Sequence, residues 1–385
     1  MGKRAYLAGL QIAQYMPTHE GEVSPIRTGY ERVLAQRSRP PYAYPAKMDG
    51  RILEIDENVH LMKIEYVDGT LDVVPFGDQL SRNSSSGFYN TNRMVINDFK
   101  VGDKFKAQDI LSYNKDCFQA DPYSKQVDWK IGVLANVALV ECDDTLDDCS
   151  AITAELASKL GVTPVHPFTV MLSKDTVVHS CKKLGDHVEI REPMITYDKS
   201  EVPESLRSSD TAVLEVLAKI NKTSEKAHHA GSICKIEAYY TCPVSEMSES
   251  LQAIVKTCVK TQNAMNRFAN GTMRQDKFVE SGTITTDYRV DGIVPEEDSV
   301  ILKFYISEDV DMDAGSKIVY STELKSVVGY IIPQQLDTES GDCKVDALMS
   351  MRAANARIVY SPFVTGACNR VLEKLQEDVI KMFDE

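Results

Sequence analysis

The sequence predicts a mainly β chain with some helix, an α+β fold class. Three observations carry that expectation. From Met48 to Val74 the apolar residues Ile52, Ile55, Leu61, Ile64 and Val67 fall in short runs, broken at Asp49-Gly50, Asp56-Glu57-Asn58 and Asp68-Gly69. Runs of that length between Asp, Asn and Gly turns are the pattern of hairpins. Val133–Val140 is almost continuously apolar, as a strand buried on both faces would be. Two stretches instead repeat at helical spacing. One starts at Ser245 and aligns Met247, Leu251, Ile254, Val255, Cys258, Val259 and Met265. The other runs from Cys368 to Phe383 and aligns Leu372, Leu375, Val379 and Met382.

The remaining elements follow in order. Arg4–Tyr15 reads as a short mixed helix or turn, ended by Pro17. Pro25–Pro45 reads as extended and basic, with Arg27, Arg32, Arg37 and Arg39. The Met48–Val74 strands form a small barrel or sandwich. Ser81–Asn92 reads as a polar loop, Met94–Ile96 as a strand, and Val101–Leu111 as a turn followed by a β arm. Ser150–Leu160 reads as a short helix behind the acidic residues Asp143, Asp144, Asp147 and Asp148. A middle region from about Val162 to Val294 has its own character. It contains β segments, a polar stretch at Ser200–Asp210, a helix over Ala212–Ile220, and the long amphipathic helix with Ser245 as N-cap. The apolar stripe of that helix reads as a core face. Strands return at Val300–Ile306, Lys317–Val319 and Val327–Ile332.

The chain of 385 residues is long enough for two or three packed domains, and its 43 % hydrophobic and 26 % charged residues are ordinary for a globular protein. No stretch approaches the roughly 18 apolar residues of a membrane helix. The segment Met1–Tyr6 lacks the apolar core of a signal peptide. The nine cysteines include no C-x-x-C pair, so they read as reduced thiols and point to a cytoplasmic compartment. A net charge of −14 argues against coating nucleic acid through bulk positive charge, and leaves room for a local basic surface. There is no phosphate loop, no G-x-G-x-x-G, no H-E-x-x-H and no G-x-S-x-G. His228 and His229 are adjacent, and neighbours on a helix point in different directions, so they read poorly as a joint metal pair. The acidic cluster at Asp143–Asp148 has two readings, a hard-cation site or a solvated loop ahead of a helix.

A series of short motifs resembles the β subunit of multisubunit DNA-directed RNA polymerases, in its C-terminal half. Gly315-Ser316-Lys317-Ile318-Val319-Tyr320-Ser321-Thr322-Glu323-Leu324-Lys325-Ser326-Val327-Val328-Gly329-Tyr330-Ile331-Ile332-Pro333 is similar, without a gap, to G-D-K-x-x-x-R-H-G-N-K-G-V-V-x-x-I-x-P. Lys344–Arg357 has the shape of P-V-D-I-x-x-N-P-x-G-V-P-S-R, with Val345, Asp346 and Arg357 coinciding. Arg4-Ala5, Gln14 and Pro17 fall on N-R-A-L-M-x-x-x-x-x-x-Q-x-x-P. Ser24–Glu31 resembles P-L-V-x-T-G-x-E, and Lys47–Asp56 resembles A-x-x-G-x-V-x-x-V-D. Val101-Gly102-Asp103 and Gln108 match V-x-x-G-D-x-V-x-x-G-Q-x-L. Ile131-Gly132 and Asp147-Asp148-Cys149 stand where the family has L-G and N-Y-E-D-A. The order and spacing hold from Arg4 to Arg357. The departures are Ser321-Thr322-Glu323-Leu324 in place of R-H-G-N, and a middle region that keeps only Gly185-Asp186 of the family's flap. A diverged half-length β chain looks like the split β subunits of giant bacteriophages.

The resemblance implies a double-psi β-barrel built from about Val133–Leu160 and Val300–Tyr360, interrupted by a flap-like insertion, plus a sandwich-barrel module. In its terms residues 1–24 belong to a hybrid-binding region and 25–130 to the sandwich-barrel. Residues 131–161 and 295–360 form the two barrel parts, 162–294 the insertion, and 361–385 a C-terminal helix. It implies that Arg357 and Arg4 contact the triphosphate of the incoming nucleotide. Lys317 and Lys325 would lie along the RNA 3′ end, and Gln14 on the RNA–DNA hybrid. Asp147 or Asp148 would lie near a second, nucleotide-borne Mg2+, through water. The primary Mg2+ would be held by a β′-like partner, because N-A-D-F-D-G-D is absent here. The expected partners are β′-like subunits, an N-terminal β-like chain, template DNA, RNA and nucleoside triphosphates. The expected place is the cytoplasm of an infected bacterium, or the virion. The alternative is a catalytically inert β-like factor that binds nucleic acid or polymerase. A lone Lys or Arg on a strand is ordinarily a solvated surface charge, so these roles rest on the family register alone.

Overall fold

The computed structural model describes residues 18–38, 42–82, 88–130, 132–198, 222–274, 281–321, 324–334, 336–337, 344–357 and 360–384. The expected helix over Ala212–Ile220, the segment Arg4–Tyr15 and the polar stretch Ser200–Asp210 lie outside them. The described chain is mainly β with helices, in keeping with an α+β class.

The Met48–Val74 pattern forms three strands, Gly50–Asp56, Leu61–Tyr66 and Leu71–Pro75, which with Lys104–Phe105 make a four-stranded antiparallel sheet. Asp68-Gly69 turns as its composition predicts: Gly69 has φ 81°, and the Asp68 carboxylate accepts from the Thr70 amide at 2.9 Å. Asp49-Gly50, in contrast, opens a strand. A Cβ on Gly50 would lie 2.4 Å from the Glu65 carbonyl, so glycine is there for close approach of two backbones. The basic stretch after Pro25 is not extended throughout, because Tyr30–Arg37 is a helix. Arg27 and Arg32 turn inward to the buried Asp128 carboxylate.

A nine-stranded sheet forms the centre of the molecule. An inner strand, Ser299–Ser307, pairs with Pro164–Ser173 on one side and Gly231–Tyr240 on the other. Being doubly paired, it is buried along almost its whole length, which is why its sequence reads as a continuous apolar run. The strand expected at Val300–Ile306 is therefore present, but it belongs to this large sheet, together with the middle-region strands Pro164–Ser173 and Gly231–Tyr240. Val300, Leu302, Phe304 and Ile306 face a core shared with Phe168, Ile233, Leu251 and Val255.

The long helix spans Glu249–Ala269. Its N-cap is Ser248, whose Oγ accepts from the Leu251 amide at 3.3 Å, and not Ser245. Ser245 sits in a separate 3-10 turn, Val244–Glu246, and extended, buried Met247 divides that turn from the helix. The apolar stripe is a core face, as its spacing predicts. Leu251 and Val255 enter the large-sheet core, while Phe268 and Ala269 pack on Leu61 and Val73 of the four-stranded sheet and on Val59 in the turn between two of its strands.

A third, five-stranded sheet has the order Val137–Leu139, Ala347–Met349, Cys149–Thr153, Leu324–Ile332, Lys317–Tyr320. Two of its pairings are parallel and join strands far apart in sequence: Val137–Leu139 with Ala347–Met349, and Cys149–Thr153 with Leu324–Ile332. Parallel neighbours need a crossover connection, and here that connection carries the large-sheet strands from Pro164–Ser173 to Ser299–Ser307. Among the described residues this small sheet is open and no closed barrel is formed. Two sequence expectations change here. Ser150–Leu160 splits into the strand Cys149–Thr153 and a short helix, Ala154–Lys159, capped by Thr153. Val133–Val140 is not doubly buried. Only Val137–Leu139 is strand, and it pairs on one edge alone, leaving Val137 38 % and Leu139 36 % exposed. The C-terminal helix begins earlier than its stripe suggests, covers Ser361–Asp384 and buries none of its residues. Among the described residues no helix is long and apolar enough to cross a membrane.

Candidate functional site

Lys317–Tyr320 and Leu324–Ile332 pair as an antiparallel hairpin at the edge of the small sheet. Side chains alternate across it: Ile318, Leu324, Ser326 and Val328 are buried, while Lys317, Val319, Lys325 and Val327 face solvent. Lys317 lies opposite Val327 and Val319 opposite Lys325. The two lysines are thus diagonal neighbours on one exposed face, within reach of a common ligand.

Behind that face, Ser326 is fixed by a buried relay. Its hydroxyl donates to the Asp148 carbonyl at 2.6 Å, and it receives the Ser150 hydroxyl at 2.6 Å. The Val327 amide donates to the same Asp148 carbonyl at 3.0 Å. The backbone at Asp148 is therefore bonded directly to the lysine-bearing strand. The preceding residue, Asp147, has φ 54°, a left-handed conformation that reverses the chain just before Cys149–Thr153.

Arg357 ends a short helix, Met351–Ala356. Ser350 caps that helix, accepting from the Ala353 amide at 3.1 Å. Glu141 completes the cap. Its carboxylate accepts from the Arg352 amide at 2.7 Å and the Ser350 hydroxyl at 3.0 Å. These two bonds, the Arg352 amide first, hold the Glu141 carboxyl below the usual carboxylate range. From this anchored helix end the Arg357 guanidinium donates to the Lys325 carbonyl at 2.7 Å and to the Asp148 carboxylate at 2.5 Å.

The fold thus brings Lys317, Lys325, Arg357 and Asp148 to one edge of the small sheet. Asp148 and Arg357 meet each other, a pairing the sequence does not suggest. Arg4 and Gln14 lie outside the described residues, as do Thr322 and Glu323. A magnesium ion takes about six oxygen ligands in octahedral geometry. Among the described residues Asp147 and Asp148 join no group of three converging donors, and Asp148 is already paired, so these residues do not build a magnesium site by themselves.

Sequence reasoning missed a buried ionic network in the large sheet. Lys303 donates to Tyr89 Oη and Asp291 Oδ1, each at 2.9 Å, and lies over the rings of Tyr89 and Tyr305. Glu237 accepts from Tyr239 at 2.9 Å and Tyr305 at 2.8 Å. Burial, followed by the Glu237 charge, pushes the Tyr305 hydroxyl well above the usual tyrosine range. The available signal was a single lysine inside the apolar run Val300–Ile306. The chain matches no family model and no curated protein.

Proposed function

We propose that the chain is the C-terminal half of a β-type subunit of a DNA-dependent RNA polymerase and forms one wall of its active site. On this reading the small sheet is part of a double-psi barrel, and residues 162–294 are the flap-like insertion within it. The observation that carries the reading is the hairpin. The two lysines in register with the family motif share one solvent face, and the motif's arginine is hydrogen-bonded to the same strand. A rigid strand pair bearing cations suits a polyphosphate or a nucleic-acid backbone, where catalysis is largely positioning and charge stabilisation. Lys317 and Lys325 would hold the RNA 3′ end. Arg357 would exchange Asp148 for triphosphate oxygens, which its planar fork can take in pairs. Arg4 and Gln14 would add contacts to the nucleotide and the hybrid. Mg2+ would be held by a β′-like partner chain, with an N-terminal β-like chain completing the enzyme in the infected bacterium.

Co-expression with β′-like and N-terminal β-like chains tests this, with RNA synthesis on a preformed scaffold as the readout. The expected result is synthesis by the assembly and none by the chain alone. In that assembly, Lys317→Ala and Lys325→Ala each slow nucleotide addition about a hundredfold or more while subunits still co-purify. Wild-type rates in both variants would remove the hairpin from catalysis. One observation favours the second reading, an inert β-like factor: the Arg357 guanidinium is engaged by Asp148 and the Lys325 carbonyl. An assembly that binds the scaffold without extending RNA would select it.

A further inference from the structure

His166, His229 and Glu308 come from three separate parts of the chain and meet at one end of the large sheet. Each offers a ligand atom, and these atoms all lie within 4.8 Å of one another. The strand ladders explain the meeting. His166 lies opposite Ile306 in the pairing of Pro164–Ser173 with Ser299–Ser307, and the Glu308 amide extends that ladder with a bond to the Pro164 carbonyl at 3.1 Å. His229 lies in the turn that leads into Gly231–Tyr240, the other neighbour of Ser299–Ser307. Gly231 lets this turn close against the strand end, since a Cβ there would lie 2.3 Å from the Ser307 carbonyl. Backbone hydrogen bonds thus set the positions of His166 and Glu308, and the close approach at Gly231 brings His229 beside them.

We propose that His166, His229 and Glu308 form a binding site for a first-row divalent cation of the zinc type, open to water at a further position. Two imidazole nitrogens and one carboxylate suit zinc, cobalt or nickel, and do not suit magnesium or calcium, which take oxygen ligands. His166 lies on the face of its strand that carries Phe168, and Phe88 stands 6.1 Å from its ring, so one side of the site is apolar. His229 is exposed, which leaves the opposite side to solvent. The two imidazoles are stacked, with centroids 3.7 Å apart and planes within 6°. Stacked rings hold their nitrogen lone pairs in parallel planes. Ligation of one ion therefore requires the rings to turn about their Cβ–Cγ bonds, a torsion with broad, soft minima.

The full chain, stripped with a chelator and titrated with Co2+, tests the proposal. The expected result is one equivalent of Co2+ with visible d–d absorption, displaced by Zn2+ and unaffected by excess Mg2+. His229→Ala and Glu308→Gln alter side chains at the sheet's rim and are expected to fold. Each should weaken Co2+ binding by more than the about 10–100-fold that loss of an outer-shell partner costs. The described cysteines are free thiols and remain in both variants. Binding that survives unchanged in His229→Ala and Glu308→Gln would therefore place the ion elsewhere and overturn the proposal, as would a wild-type chain that takes up no Co2+.

Discussion

Arg357 and Asp148 form an ion pair at 2.5 Å that joins the end of a short helix to the loop before Cys149–Thr153. The pair is not buried: the side chains are 33 % and 59 % exposed. An exposed pair of this kind contributes about 0–1 kcal/mol, because water screens it and two side chains must be ordered. Arg357 is thus available for another acidic ligand at little cost to the fold.

Arg357→Ala should accordingly change the unfolding free energy by less than about 1 kcal/mol in urea titrations. In an active assembly the same substitution should raise the apparent KM for nucleotides, lower the addition rate, or both, for all four nucleotides alike. Arg357→Lys should restore the charge and only part of the activity, since an ammonium cannot reproduce a two-bond fork. A loss of several kcal/mol in the folding measurement would show that the pair is a structural keystone instead.

Lys303 presents the opposite case. Its side chain is 6 % exposed and is bonded to Asp291 and Tyr89. Lys303→Ala leaves a carboxylate and a hydroxyl without their cation, and removes aliphatic packing between two tyrosine rings. The expected loss of stability is about 3 kcal/mol or more, read from the denaturation midpoint. The double variant Lys303→Met with Asp291→Asn should recover much of it, because neither charge is then stranded. A single variant as stable as the parent would mean that the network is solvated in solution.

Glu141 supplies a pH test of the helix that carries Arg357. Its carboxyl is held below the usual range by the Arg352 amide and the Ser350 hydroxyl. A depressed carboxylate pKa contributes stability above the unfolded value of about 4.3, and that contribution disappears as pH falls through the lower folded value. The carboxyl carbon of Glu141 should therefore titrate, by NMR, below ordinary glutamates. Ser350→Ala should move its midpoint part of the way back, since the Arg352 amide bond is the larger cause and remains. A midpoint unchanged by Ser350→Ala would separate the cap from the titration.

Local structure was legible in this sequence wherever residues within one segment decide it. The hairpins at Gly50–Asp56, Leu61–Tyr66 and Leu71–Pro75 follow from alternation and turn chemistry, and the helix Glu249–Ala269 from its apolar stripe. The alternation that puts Lys317 and Lys325 on one face is likewise a property of two short strands and their turn. Neighbouring structure decided the rest. Val137–Leu139 looks like a buried strand by composition, yet it stands at an edge, because burial depends on how many strands flank it. Ser245 looks like a cap, yet Ser248 is the cap, because buried Met247 interrupts the turn. The pairings of Arg357 with Asp148 and of His166 with His229 and Glu308 bring together residues far apart along the chain. Their meeting is set by backbone ladders between distant strands, and such long-range register is a property of the packed sheet, written in no single segment.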